Sequence, residues 1–237
     1  MEYIGTSDEI LTTLIRGYED QEICHNTSNM LRECLVYETL AKIVLQSENF
    51  NDLFKYIQVS QPIRINSTKQ SLFQDPQFDI AADSFSTFKD LLTRHKAAAG
   101  KHLEDNYESF FSQYNKLLES DNLVTRLTSL QLLNELLHDR NNLRVMKRFI
   151  NSEDNLKMIM NKMLDSHRGV QLVGFNVFQI FIAHPDKSEP VQQLLINNRT
   201  LLIRFLENFS VKNNDERFAS DKITVIKKLK ELPTIEE

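Results

Sequence analysis

Apolar residues along this chain fall at helical spacing, and one block of them recurs. The strings SFSTFKDLL at 84–92, SLQLLNELL at 129–137 and GFNVFQIFI at 174–182 superpose at two equal steps of 45 residues. Phe85, Leu130 and Phe175 then coincide, as do Phe88, Leu133 and Phe178, and Leu92, Leu137 and Ile182. Identities change while apolar character persists, so what repeats is a buried face. A period of about 40–47 residues belongs to helical solenoids, whose units of two or three helices cannot bury their apolar stripes alone and stack to do so.

An earlier copy stands at 27–35, TSNMLRECL, where Leu31, Cys34 and Leu35 match Phe88, Leu91 and Leu92 at a step of 57. The excess has a source in residues 62–77, PIRINSTKQSLFQDPQ, which carry a proline near each end and no helical period, and read as an inserted loop. Removing those 16 residues brings the step to 41. Each unit continues into a further amphipathic helix: Phe54 and Ile57; Phe110, Phe111, Tyr114, Leu117 and Leu118; Leu156, Ile159, Met160, Met163 and Leu164; Leu201, Leu202, Phe205 and Leu206. Packing between repeats is the role this spacing predicts for most of them. Asp154 and Ser188 are placed to cap helix starts. Residues 210–219 are polar and read as a loop, and 220–232 form a last helix stopped by Pro233, whose lysines suit the polar outer face of a terminal cap.

Composition agrees with this picture. Only 5 Gly and 5 Pro occur in 237 residues with 41% apolar content, which leaves few breaks and favours long helices. The formal charge of −5 supplies no basic footprint, so no nucleic-acid partner is expected. Cys24 and Cys34, ten residues apart on one helix, lie about 15 Å apart along its axis, beyond disulfide reach, and point to a reduced, cytoplasmic protein. The uncharged stretch 169–185 carries Gln171, Asn176 and Gln179 and is too short for a membrane span.

Candidate chemistry adds little. His95 and His102, seven apart, lack a carboxylate or thiol at metal spacing and read as surface residues, while His138 and His184 follow the repeated helix, where its dipole favours them. No GxxxxGK[ST], GxGxxG or GxSxG string is present, and no glycine sits in a calcium-loop context. No cofactor, metal or catalytic activity is therefore expected.

The segments MLREC at 30–34, FDIAADSFSTFKDLLTRHK at 78–96 and LLNELLHDRNN at 132–142 closely resemble the calcium-binding protein 39, or Mo25-like, family, and the likeness runs nearly end to end. It implies an all-α, armadillo-like solenoid of about four units, a single domain over 1–237, that binds a Ste20-related kinase or pseudokinase and holds it in an active-like conformation. In animals the family assembles the liver kinase B complex. Two surfaces are implied: a concave face, where Phe78 matches an aromatic contact, and a C-terminal pocket for a Trp-Glu-Phe tail, where Arg140 and Met160 match pocket residues. The residues alone also permit Arg140 to close a helix end and Met160 to belong to the core.

The family commonly has Phe where this chain has Leu143, Lys at Asn197, Tyr at Leu123 and Arg at Leu127, so the C-terminal pocket is expected to differ in specificity. The alternative function is a structural adaptor for morphogenesis that binds peptides in a solenoid groove. Relative to the family, roughly the first third is missing, in units of ~40-residue repeats. Ile10, Leu11, Leu14 and Ile15 are then expected to be exposed unless a partner or a second copy of the chain covers them.

Overall fold

A computed structural model describes residues 8–58, 76–209 and 216–233, with side chains from residue 79 onward in the second stretch. Every regular element among them is helical. The order is α1 (Asp8–Arg16), a 3-10 turn (Gly17–Glu19), α2 (Cys24–Cys34), α3 (Glu38–Gln46), α4 (Phe50–Gln58), α5 (Pro76–Thr93), α6 (Lys96–Asp105), α7 (Tyr107–Leu118), α8 (Leu123–His138), a 3-10 turn (Arg140–Asn142), α9 (Leu143–Ile150), α10 (Glu153–Met163), α11 (Arg168–Ala183), α12 (Glu189–Asn208) and α13 (Glu216–Lys230). The chain divides into two compact units, Met1–Val145 and Met146–Glu237.

Packing follows the repeat. In the first unit α2 packs on α5 and α5 on α8, while α3 packs on α6 and α4 on α7. Helices α2, α3, α4 and α5 therefore each touch their counterpart one repeat further along. In the second unit α10 packs on α12 and α11 on α13 in the same way. This all-α helical-repeat architecture buries the repeated positions: Leu31, Phe88, Leu133 and Phe178 are each fully enclosed. Around Phe88 the first unit has an aromatic core, with Phe54 edge-on at 4.9 Å and Phe110 stacked at 6.1 Å. Short helices of this kind are marginal alone, and their stability comes from such faces.

The structure corrects several expectations. Leu11, Leu14 and Ile15 are buried, because α1 turns its stripe onto α2 and α3; only Ile10 is exposed, at 37%. The exposed patch expected to drive self-association at that end is absent among the described residues. Leu164 and Leu201, assigned to packing, are exposed. Leu164 is the C-cap of α10, where the chain leaves the helix, and Leu201 lies one position off the stripe formed by Leu195, Leu202 and Leu206.

Helix ends differ from the prediction as well. The cap of α10 is Ser152, whose Oγ accepts from the Asn155 amide at 3.3 Å, and not Asp154, which stands within the first turn. Ser188 is the N-cap of α12 by position, but its hydroxyl donates to the Asn151 carbonyl at 2.8 Å. Helix α5 begins at Pro76, where a missing N–H costs nothing, so the inserted loop ends before that residue; positions 59–75 lie outside the described residues. Helix α13 begins at Glu216, and positions 210–215 are likewise outside. That last helix is fastened by cations on carbonyls: Lys222 Nζ to Phe209 at 3.1 Å, Lys228 Nζ to Ala183 at 3.3 Å, and Arg199 Nη1 to Leu232 at 2.9 Å.

The turn that carries Arg140 is fixed from two sides. A side chain on Gly100 of α6 would place its Cβ 2.7 Å from the Asn141 carbonyl oxygen, so only glycine lets the helix approach this backbone. Asp139 caps the turn by accepting from the Asn141 amide at 2.9 Å, and it pairs with Lys96 at 2.7 Å. The hydrogen bond from Lys96 and those from Asn141 pull its carboxyl down to about 2, below the ordinary 3.8.

Three outcomes follow. Leu133→Ala, which empties a fully buried site, should cost about 2–5 kcal/mol in urea denaturation. Gly100→Ala should cost about 1–3 kcal/mol, because the atom it meets is backbone. The native carboxyl of Asp139 titrates below the unfolded one, so its contribution is complete above 3.8 and is lost as pH falls through about 2. In that window the denaturation midpoint of Asp139→Asn should fall less steeply than that of the unmodified chain.

Candidate functional site

Helices α5 and α8 lie side by side in the first unit, and their interface is closed at one end and open at the other. The closed end is bridged by Lys89 to Glu135 at 3.1 Å and by Lys96 to Asp139 at 2.7 Å. At the open end runs a groove of about 210 Å³. Ala81, Ala82, Phe85 and Ser86 of α5 form one wall, Val124, Thr125 and Thr128 of α8 the other, and Ile57 of α4 contributes to the lining.

The groove exists because the α5 wall is small. At the positions where the next two repeats carry Arg126–Leu127 and Gln171–Leu172, α5 has Ala81–Ala82, whose side chains do not reach across. Phe85 is consequently half-buried, whereas its counterparts Leu130 and Phe175 are fully enclosed. The hydroxyls of the lining are engaged on their own helices: Ser86 Oγ donates to Ala82 O at 2.9 Å and Thr128 Oγ1 to Val124 O at 2.8 Å. The Asn122 side chain is taken up as the cap of α8, accepting from Val124 N at 2.9 Å and Thr125 N at 3.2 Å. Among the described residues the groove lining thus bears no formal charge and presents methyl and methylene groups. Val124 at its rim is 43% exposed, and Leu123 beside it in sequence is 36% exposed. An apolar recess with satisfied polar neighbours suits an apolar side chain from a partner.

Of the residues singled out in the sequence, Phe78 stands in the first turn of α5, one turn ahead of Ala81 and Ala82, with its side chain outside the described residues. Arg140 opens the 3-10 turn after α8, exposed and without an acidic partner among the described residues. Leu143 beside it is 51% exposed. Met160 is half-buried on α10. Arg140 belongs to the first unit and Met160 to the second. The groove itself was missed by sequence reasoning, although the small pair Ala81–Ala82, where the other repeats are bulky, is a signal that locates it.

The histidines have structural settings. His95 Nε2 lies 2.8 Å from the Leu35 carbonyl, and His138 Nδ1 lies 2.7 Å from that of Asn134. His102, expected at the surface, is instead half-buried against Phe50. Among the described residues no group of three His, Cys, Asp or Glu side chains is placed to hold a metal ion, and no helix is long and apolar enough to cross a membrane. Cys24 and Cys34 are both free thiols.

The Mo25-like family model matches residues 1–233. The degreening-related gene dee76 protein of Auxenochlorella protothecoides is 42% identical over 228 residues, covering 96% of this chain and 66% of that protein. The human calcium-binding protein 39-like is 42% identical over 233 residues, covering 98% of this chain and 64% of its own length. MO25-like protein 2 of Caenorhabditis elegans shows the same identity and coverage. This chain therefore spans just under two thirds of each relative. Stacked counterpart helices and a likeness extending from the first residue to Pro233 together establish that the chain belongs to the Mo25-like family.

Proposed function

We propose that this chain is a non-catalytic scaffold that binds the kinase domain of a Ste20-related kinase or pseudokinase and stabilises its active-like conformation. The observation that carries this reading is the α5–α8 groove, a recess whose described lining is uncharged, with exposed Val124 at its rim, in a chain of the Mo25-like family. A rigid layered surface of this kind regulates by binding one conformation of its partner more tightly than the other. Equal affinity for both conformations would move nothing.

Magnitudes set the size of the contact. One apolar side chain seated in the groove contributes about 1.5–3 kcal/mol. Driving a kinase from almost wholly inactive to almost wholly active requires about 5.5 kcal/mol of differential affinity. The groove is therefore one anchor within a broader surface, to which Phe78, at the start of the same helix, is proposed to contribute. Arg140 of the first unit and, separately, Met160 of the second are proposed as residues that contact a partner's C-terminal tail, Arg140 by pairing with a carboxylate. Leu143 and Asn197 stand where the family commonly has an aromatic and a cation, so specificity for such a tail is expected to differ.

Turnover of a Ste20-type kinase domain at saturating scaffold should rise severalfold. Val124→Glu, which places a charge at an exposed rim position, should weaken kinase binding at least about tenfold while leaving the melting temperature nearly unchanged. Tight binding without a change in turnover would reduce the protein to a peptide- or domain-binding adaptor. Arg140→Ala should likewise preserve stability and weaken binding of a peptide ending in Trp-Glu-Phe; a large stability loss would return Arg140 to a structural role.

A further inference from the structure

The first unit holds another cavity, of about 300 Å³, where two helix elbows meet: the turn from α3 to α4 and the turn from α6 to α7. Leu45, Phe50 and Phe110 form its floor, each 3% exposed or less. Phe50 and Phe110 stack at 6.4 Å and belong to the aromatic core around Phe88, so the cavity reaches the packed interior. His102 makes one wall, its ring edge-on to Phe50 at 4.8 Å.

The rim is polar, and its hydrogen-bonding groups divide into those already engaged and those left over. Ser47 Oγ donates to Val44 O at 2.9 Å, Ser109 Oγ to Asn106 O at 3.0 Å, and Asn106 Nδ2 to His102 O at 3.0 Å. Asn51 Oδ1 accepts from Gln113 at 3.0 Å. The Glu48 carboxylate has no hydrogen bond or ion pair among the described residues, and Asn106 Oδ1 also remains open as an acceptor. Gln46 and Asn51 add neutral amides. Among the described residues Glu48 is the one formal charge in the lining, which contains no lysine or arginine. Burial pushes the His102 imidazolium toward deprotonation, with Asp105 opposing in part, so the ring is neutral at pH 7 and does not repel a cation.

We propose that this elbow cavity receives an arginine side chain of a partner protein, its methylene stem lying on Phe50 and Phe110 and its guanidinium paired with Glu48. An aromatic floor beneath a single unpaired carboxylate matches the two ends of such a side chain. Guanidinium suits the site better than ammonium because its planar fork meets a carboxylate through two hydrogen bonds and because it is more weakly hydrated, so less is lost over an apolar floor. The cavity is lined by none of the groove residues, and the proposal does not depend on the kinase reading.

The test uses the whole chain and small probes. Titration with N-acetylarginine amide, followed by backbone amide resonances, should give saturable shifts concentrated at 45–51 and 102–110. N-acetylcitrulline amide, equal in shape but neutral, should bind at least about tenfold more weakly, as should the arginine probe to Glu48→Gln, since a charge-assisted pair is lost in either case. Val124→Glu should leave the titration unchanged, which separates this site from the groove. Absence of saturation by the arginine probe, equal binding of citrulline, or an unaffected Glu48→Gln variant would overturn the assignment.

Discussion

The structure depends on one constraint: within each unit no described helix covers its own apolar stripe, which is covered by the neighbouring helices, its counterpart one repeat away among them. Helices of 9 to 18 residues dominate the first unit, lengths at which backbone hydrogen bonding alone leaves the helical state marginal. Burial of Leu31, Phe88 and Leu133 between α2, α5 and α8 supplies what the backbone does not. The same constraint fixes the close approaches. Gly174 on α11 lets that helix come within 3.1 Å of the Lys162 backbone on α10, as measured from where a Cβ would stand, and Gly100 does the same for the turn at Asn141.

The proposed function rests on where the constraint is relaxed. Two counterpart helices with full-sized residues at every facing position would leave no recess. The Ala81–Ala82 pair opens one between α5 and α8, while at the other end of that interface Lys89 of α5 pairs with Glu135 of α8 and Lys96 of α6 with the α8 cap Asp139. A recess held in this way is pre-organised: the cost of forming it was met when the repeats stacked, so a partner side chain entering it loses little affinity to rearrangement. The elbow cavity arises from a different part of the architecture, where two helix turns leave a recess above buried aromatic rings and beneath a polar rim.

Much of the fold was legible because its signal is periodic. Superposing 84–92, 129–137 and 174–182 identified Phe88, Leu133 and Phe178 as equivalent core positions, and all three are fully enclosed. What escaped was set by contacts that no local pattern encodes. Whether Leu11, Leu14 and Ile15 faced inward depended on the direction α1 takes onto α2 and α3. Leu201 was assigned to the core because apolar residues adjoin it, although a helix turns each successive side chain by about 100° and carried it off the stripe. Of the candidate site, Phe78 and Arg140 came from the likeness to the family, while the groove lies in the absence of bulk at Ala81 and Ala82, which a search for chemical groups passes over. Glu48 and His102 are distant in sequence and share a cavity only because α3 and α6 are counterparts.

The claim that the α5–α8 surface is where a partner is held can be tested most directly by hydrogen exchange on the chain with and without a Ste20-type kinase domain. Slowed exchange over the first turns of α5 and α8, around Ala82 and Val124, is the predicted result. Exchange there that is unchanged at saturating kinase, with protection elsewhere or nowhere, would contradict it.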